Sequence, residues 1–389
     1  MISIGLEELA AAVPAQLKGK RLGLLCNQAS TDRHYRHSRE VVAQALPGQL
    51  TCIFSPQHGF FADKQDNMIE SGHATDALTG LPVFSLYGEK RKPDAVMLDH
   101  LDALLIDLQD VGTRVYTFIW TMYYCLEAAA EHGKLVVILD RPNPVGGELI
   151  EGNLTADDCR SFVGLLPIPM RHGLTMGELA RLFNEHFGIG AELLVIPMRG
   201  WKRGMSFRDT GFPWVFPSPN MPTPETALVY PGQVLWEGAN VSEGRGTCLP
   251  FEVWGAPFID HARFAAALDP ADLGGCILRP VAFEPTSNKF RGELCRGFQL
   301  QVSDPVAYRP YRTSLALLRA TLELHGDAGF AFKEPPYEYE FCKLPMDLIL
   351  GSGEVRRGLE AGRSVAELER GWQDELAGFA RLRRDFMIY

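Results

Sequence analysis

Five short apolar runs punctuate the first 145 residues of this 389-residue chain, and nothing else constrains its fold as strongly. They are Arg21 to Cys26, Leu50 to Phe54, Leu81 to Leu86, Ala103 to Leu108 and Lys134 to Leu139. Each is rich in Leu, Ile and Val with no polar alternation, the pattern of strands buried on both faces of a parallel sheet. Helical patterns separate several of them. Ser38 to Ala45 and Thr117 to His132 are the clearest, the second closed by Gly133 as a C-cap. This alternation predicts a doubly wound α/β domain. A capping box, Thr175 with Glu178, opens another helix running to Gly188, and Leu193 to Pro197 reads as a further strand. The first domain is therefore expected to span residues 1–200.

From residue 201 to 257 prolines, glycines and aromatics crowd together, including Pro213, Pro217, Pro219, Trp214, Tyr230 and Trp236. So many aromatics argue against disorder, and the segment reads as ordered, irregular backbone lining a cleft. Residues 258–389 read as a smaller α+β domain. Its strands are expected at Cys276 to Phe283 and Gly297 to Val302, with a helix at Tyr311 to Leu324. Ser364 and Glu367 form a capping box for a last helix reaching about Arg384.

The net charge of −10 disfavours a nucleic-acid partner, which needs a basic face. Eight scattered cysteines, none in a Cys-x-x-Cys pair, read as reduced thiols. With no secretory leader pattern and no apolar run near ~20 residues, the expectation is a cytoplasmic protein without a membrane partner. No strand is followed by a glycine-rich phosphate turn, which disfavours dinucleotides. His34-x-x-His37 lacks acidic company, so neither metal nor cofactor is expected. The Gly-x-Ser-x-Gly elbow of a serine hydrolase is absent.

Function is signalled by position. Nearly every predicted strand of the first domain ends in a polar cluster: Asn27-Gln28; Ser55-Pro56-Gln57-His58-Gly59; Tyr87-Gly88-Glu89; Asp107, Gln109, Asp110, Arg114 and Tyr116; and Asp140-Arg141-Pro142-Asn143-Pro144. In a parallel sheet these ends share one edge and converge on one crevice. Each cluster also has a plain structural reading. Asn27 serves as a turn residue, Asp107 as a buried acid paired with Arg114 or Arg141, His58 as a hydrogen-bonded core histidine, and Asp140 to Pro144 as a rigid turn. Five at one edge favour a small-molecule site. Amides, carboxylates, arginines and aromatics together suit a sugar, and Arg114, Arg141 and Arg171 offer forks for a carboxylate.

These residues resemble the exo-β-N-acetylmuramidase family along almost the whole chain. The resemblance is carried by Gly23-Leu24-Leu25-Cys26-Asn27-Gln28, Ser55 to Phe60, Asp107 to Tyr116, Leu139 to Pro144 and Pro167-Ile168-Pro169-Met170-Arg171-His172-Gly173. It continues through Pro217-Ser218-Pro219-Asn220-Met221-Pro222, Ser242-Glu243-Gly244-Arg245-Gly246-Thr247 and Leu344-Pro345-Met346-Asp347. It implies a Rossmann-like domain, a smaller C-terminal domain, and an active site between them. The implied reaction removes N-acetylmuramic acid from the non-reducing end of peptidoglycan fragments, so the implied partner is an amino sugar or muropeptide. One position departs: the family usually shows Pro-Glu-His-Gly after the second strand, and here that glutamate is Gln57. An amide transfers no proton and is no carboxylate nucleophile.

Another acid must then act, or the chain binds amino sugars without cutting or with altered specificity. Asp110 is the first candidate, with Tyr116 and His58 beside it and Gln57 orienting substrate. Glu243, in a glycine-bounded loop, is the second, and its plain reading is a cap or an ion pair with Arg245. Arg114 and Arg171 are expected to hold the lactyl carboxylate. Asn27, Tyr87, Asp107, Gln109, Asp140, Arg141, Asn143, His172, Asn220 and Arg245 complete the expected binding surface. An N-acetyl sugar can also supply its own acetamido oxygen as nucleophile.

Overall fold

The computed structural model describes residues 2–66, 68–327 and 329–389. Twelve strands are formed among them: β1 (Leu22–Cys26), β2 (Leu50–Ser55), β3 (Ala74–Thr75), β4 (Pro82–Ser85), β5 (Ala103–Asp107), β6 (Leu135–Leu139), β7 (Glu151–Leu154), β8 (Pro169–Arg171), β9 (Glu192–Ile196), β10 (Val253–Ala256), β11 (Cys276–Phe283) and β12 (Cys295–Val302). Seven build the main sheet in the order β3-β4-β2-β1-β5-β6-β9. All its pairings are parallel except the short edge strand β3, which runs antiparallel to β4. Counting the parallel strands alone in chain order gives 3-2-1-4-5-6, the Rossmann arrangement.

The five apolar runs, and the sixth near residue 193, are strands within a residue or two of the expected limits. Their side chains alternate between two cores, as the two-residue period of a strand requires. Leu105, Leu135, Val137 and Leu139 face a layer with Leu6, Leu9, Val41 and Val42, whereas Leu104, Ile106, Val136 and Ile138 face Trp120, Leu126 and Leu179. The second core runs on without a break into Trp236, Trp254, Leu315 and Ile349 of the C-terminal half.

Helix α1 (Gly5–Ala11) precedes the sheet, and α2 (Ser38–Ala45), α3 (Ala95–Leu98), α4 (Phe118–His132) and α5 (Met176–Arg181) connect its strands. Gly133 ends α4 with φ +61, the left-handed C-cap its position predicts. The Thr175 and Glu178 capping box forms as expected. The helix it opens widens into a π-turn at Leu182–His186 instead of continuing as α-helix to Gly188.

The 201–257 segment departs from the irregular backbone expected of it, because it contains α6 (Pro224–Gln233) and a 3-10 turn at Val234–Gly238. The reason is local. The Thr223 hydroxyl accepts the Thr226 N–H at 3.1 Å, and Pro224 at the first helical position loses no hydrogen bond by lacking an N–H. The small antiparallel sheet β10-β12-β11 packs with α6 and α7 (His261–Ala267), and α8 (Pro310–His325), α9 (Pro345–Leu350), α10 (Gly353–Glu360) and α11 (Val365–Leu382) complete the chain. The β7-β8 hairpin leans on α11. Among the described residues no helix is long and apolar enough to cross a membrane. Cys26, Cys52, Cys125, Cys159 and Cys295 are buried, Cys276 is half-buried, and Cys248 and Cys342 are exposed; all are free thiols.

Candidate active site

In a Rossmann sheet the strand order reverses between β1 and β5, and ligands ordinarily bind beyond that point. Here the point is plugged from within. The Asn27 amide donates to the Pro217 carbonyl at 2.8 Å, tying the proline-rich loop across the gap, and Gln28 donates to Phe216 at 3.0 Å. The Arg141 guanidinium grips Asp107 with two bonds of 2.6 and 2.9 Å. Only about 10 Å³ is left beside Gln109, Arg141 and Trp214, too little for a sugar.

A polar cavity lies one strand over, beyond the ends of β2 and β5. Gln57 and His58 reach it from β2, and Tyr116 and Thr117 from the turn before α4. Ser218 and Asn220 come from the proline-rich loop, Tyr230, Glu237 and Arg245 from the α6 region and beyond, and Tyr337 and Glu338 from the segment before α9. Its volume is about 30 Å³, room for roughly two waters.

Gln57 is fixed on both sides of its amide. Its oxygen accepts the Thr117 hydroxyl, while its nitrogen donates to Glu338 Oε1 and to the Tyr87 hydroxyl, each at 3.0 Å. The Tyr87 hydroxyl in turn donates to Glu338 Oε2 at 2.7 Å. Burial pushes the Glu338 carboxyl up to about 7, against the pull of the Tyr87 and Gln57 hydrogen bonds. Glu237 responds oppositely. Burial raises it, but Arg245 at 2.6 Å and the Tyr337 hydroxyl at 2.7 Å outweigh burial and hold it below its ordinary value. One cavity therefore holds a carboxyl near its midpoint at neutral pH and a carboxylate, the kind of divergence that separates acid from base in active sites.

His58 stands at φ +70, in the left-handed region that side chains avoid. Its Nδ1 donates to the Lys64 carbonyl at 2.6 Å, and burial lowers its pKa to about 4, so the ring is neutral with Nε2 unprotonated. Glu338 (φ +46) and Tyr339 (φ +66) are held in the same region. Such strain gathers where a surrounding structure fixes functional side chains. The Tyr116 ring packs edge-on to Tyr230 at 5.9 Å, and burial raises its hydroxyl well above the usual range.

Five of the residues expected from sequence thus line this cavity: Gln57, His58, Tyr116, Asn220 and Arg245. Tyr87 stands directly behind it through Glu338. The others lie outside this cavity, most of them in structural bonds, although Asp110 Oδ1, His172 Nε2 and Arg171 Nε and Nη1 are buried without a hydrogen-bond partner among the described residues. Asp110 Oδ2 accepts the Gly112 N–H at 2.7 Å and lies 3.4 Å from His172 Nε2. Glu243 is bound by Arg245 at 3.0 Å and Lys289 at 2.8 Å. Asp140 accepts Thr175, the Gly177 N–H and the Tyr389 hydroxyl. Gln109 and Asn143 hold turns by donating to the Pro142 and Leu174 carbonyls. Arg114 is wholly buried and donates to the carbonyls of Asn153, Ile168 and Ile349. Gly351 makes room for it, since a Cβ there would stand 2.6 Å from Arg114 Nη2. Arg171 donates to the Val145 carbonyl and opens on a separate pocket.

Sequence reading did not single out Glu237 or Glu338. Glu237 sits in an apolar stretch with no motif. Glu338 had a usable signal: two acids alternating with tyrosines, Tyr337-Glu338-Tyr339-Glu340, directly after Pro335-Pro336.

Comparison with known proteins agrees with this architecture. The model of the N-terminal part of the exo-β-N-acetylmuramidase NamZ family matches residues 22–225, and that of its C-terminal part matches residues 228–389. The peptidoglycan β-N-acetylmuramidase NamZ of Bacillus subtilis (strain 168) is 42% identical over 389 residues, covering 100% of this chain and 91% of that protein. Two crystal structures of DUF1343 family proteins from Bacteroides fragilis NCTC 9343 superpose with TM-scores of 0.89 and 0.80, at 32% and 29% identity. Each comparison covers 100% of this chain and 99% of the other. With both halves matched in order and a full-length relative well above chance similarity, this chain belongs to the exo-β-N-acetylmuramidase family.

Proposed function

We propose that this chain is a glycoside hydrolase that releases N-acetylmuramic acid from the non-reducing end of peptidoglycan fragments. The observation that carries the reading is the pair Glu237 and Glu338, two carboxyls lining one cavity with their acidities driven apart. Glycoside cleavage needs such divergence: one group protonates the departing oxygen, and negative charge steadies the cationic sugar. Family membership and the named activity of the Bacillus relative support the substrate class.

Gln57 takes the place at which the family usually carries glutamate, and its amide works as a positioning group between Thr117 and Glu338. His58 presents an acceptor, and Tyr116 and Tyr230 present ring edges and hydroxyls to the sugar. The substrate's acetamido oxygen is available to capture the anomeric carbon. A cavity enclosed on most sides admits a chain end rather than a chain interior. At about 30 Å³ it lies far below the ~300–1,000 Å³ of typical ligand sites, so the cavity must widen to admit a sugar. The five buried free thiols support a reducing, cytoplasmic place of action.

The test is release of 4-nitrophenol from its β-N-acetylmuraminide. Turnover at a rate proportional to enzyme is expected. Tight binding of muramic acid with no release above buffer would defeat this reading in favour of a sugar-binding protein.

A further inference from the structure

The cavity must supply one proton to the leaving oxygen, and position 57, as an amide, has none to give. Four other acids lie near the sheet edge. Asp110 accepts the Gly112 N–H through Oδ2 and, although its Oδ1 has no partner among the described residues, is absent from the cavity lining, and Glu243 is held by two cations. Glu237 is bound by Arg245 and Tyr337, and Asp107 by Arg141. Glu338 differs from all of them. It lines the cavity, is 3% exposed, and among the described residues meets only neutral donors, the Gln57 amide at 3.0 Å and the Tyr87 hydroxyl at 2.7 Å.

We propose that Glu338, carried into the cavity by the segment between Pro336 and α9, is the proton donor for glycoside cleavage in this chain. This rests on the hydrolase reading above. As the C1–O bond breaks, its electron pair stays on the glycosidic oxygen, which takes the Glu338 proton and departs as an alcohol. Water then adds its hydroxyl to C1, directly or after the acetamido oxygen has closed there, and its remaining proton returns to Glu338. The sum is hydrolysis, with the enzyme unchanged.

The surroundings suit that task. Burial and the Glu237 charge favour the protonated form of Glu338, while Tyr87, Gln57 and the Arg91 charge favour its ionised form. Tyr230, Tyr337 and Tyr339 face the same group and stay neutral, since burial raises each hydroxyl. The balance leaves the carboxyl at about 7, protonated enough to give and acidic enough to release. Arg91 lies 3.8 Å over the Tyr339 ring and fastens the segment. The donor thus comes from the C-terminal half, so the site is complete only when that segment is seated.

Two substrates separate the donor from its surroundings. Glu338→Gln is expected to lose roughly 10²–10⁴-fold on an unactivated muramyl disaccharide. It is expected to lose less than about tenfold on the 2,4-dinitrophenyl glycoside, whose phenolate leaves without a proton. Equal losses on both substrates, or none on the disaccharide, overturn the assignment. Tyr87→Phe guards against a folding artefact. Removing a donor to the ionised form moves the basic limb of the pH–rate profile upward, and an unmoved limb also overturns the proposal. If the wild type turns over neither substrate, the hydrolase reading itself fails, a result distinct from either of these.

Discussion

Gln57→Glu places a carboxyl where the amide now stands, and the structure sets its consequence. The new carboxyl oxygen would stand about 3.0 Å from both Glu338 Oε1 and the Tyr87 hydroxyl. Tyr87 already gives its one proton to Glu338, so an ionised residue 57 would meet only lone pairs there. Two carboxylates 3 Å apart repel by ~5 kcal/mol at an effective dielectric of ~20, equivalent to about four pK units. Relaxation of the segment will absorb part of this, and the two groups will titrate as a pair sharing one proton. The surviving proton should then be held at least ~1 unit above the value of about 7 that burial gives Glu338 now. Activity needs that proton, so it falls as pH rises through the pair's upper midpoint. The variant should keep working at pH values where the wild type fades. The assay is a pH–rate profile of kcat on the muramyl disaccharide from pH 5 to 10. A basic limb that stays put, with unchanged rate at pH 8, would refute the coupling of residue 57 to Glu338.

Two further predictions concern the frame that holds the cavity. Glu151 is buried with its pKa pushed up to about 7, mainly by burial and against the Arg312 N–H and the Arg171 charge. Because the folded value exceeds the unfolded one, its contribution is full below about pH 4.5 and is lost as pH rises through 7; Glu151→Gln should remove ~3 kcal/mol of that pH dependence, read from urea midpoints at pH 5 and 8, whereas parallel curves for the two proteins would contradict it. Arg114→Met should cost about 3 kcal/mol in the same titration. It strips three buried carbonyls of their donors, a loss of ~1–3 kcal/mol each, partly offset by relief of a buried charge, and a midpoint within error of wild type would show that the arginine is no clamp.

The architecture was legible because its signals are local. Runs such as Ala103 to Leu108 need no partner to be recognised as buried strands, and Gly133, Thr175 with Glu178, and Ser364 with Glu367 mark helix ends within four residues. The short β7-β8 hairpin and β10 escaped because each strand is four residues or fewer and is defined by its neighbours. The candidate cavity was legible in part. Gln57, His58 and Tyr116 follow strands β2 and β5, where sheet geometry directs attention. Asp107, Arg141 and Asn27 follow the same rule, yet the fold spends them on closing the switch point, and the pattern of residue types is the same in the two cases. Glu237 and Glu338 come from segments about 180 and 280 residues after Gln57, and only the packing of the C-terminal half brings them to it. Spacing along a chain carries no trace of such a meeting.

The most direct test of the account is the product formed from the disaccharide N-acetylmuramyl-β-1,4-N-acetylglucosamine, followed by mass spectrometry. Equal amounts of free N-acetylmuramic acid and N-acetylglucosamine are expected, with no cleavage of the reversed disaccharide that carries N-acetylglucosamine at its non-reducing end. An intact disaccharide after exhaustive incubation, or cleavage of both isomers alike, would contradict it.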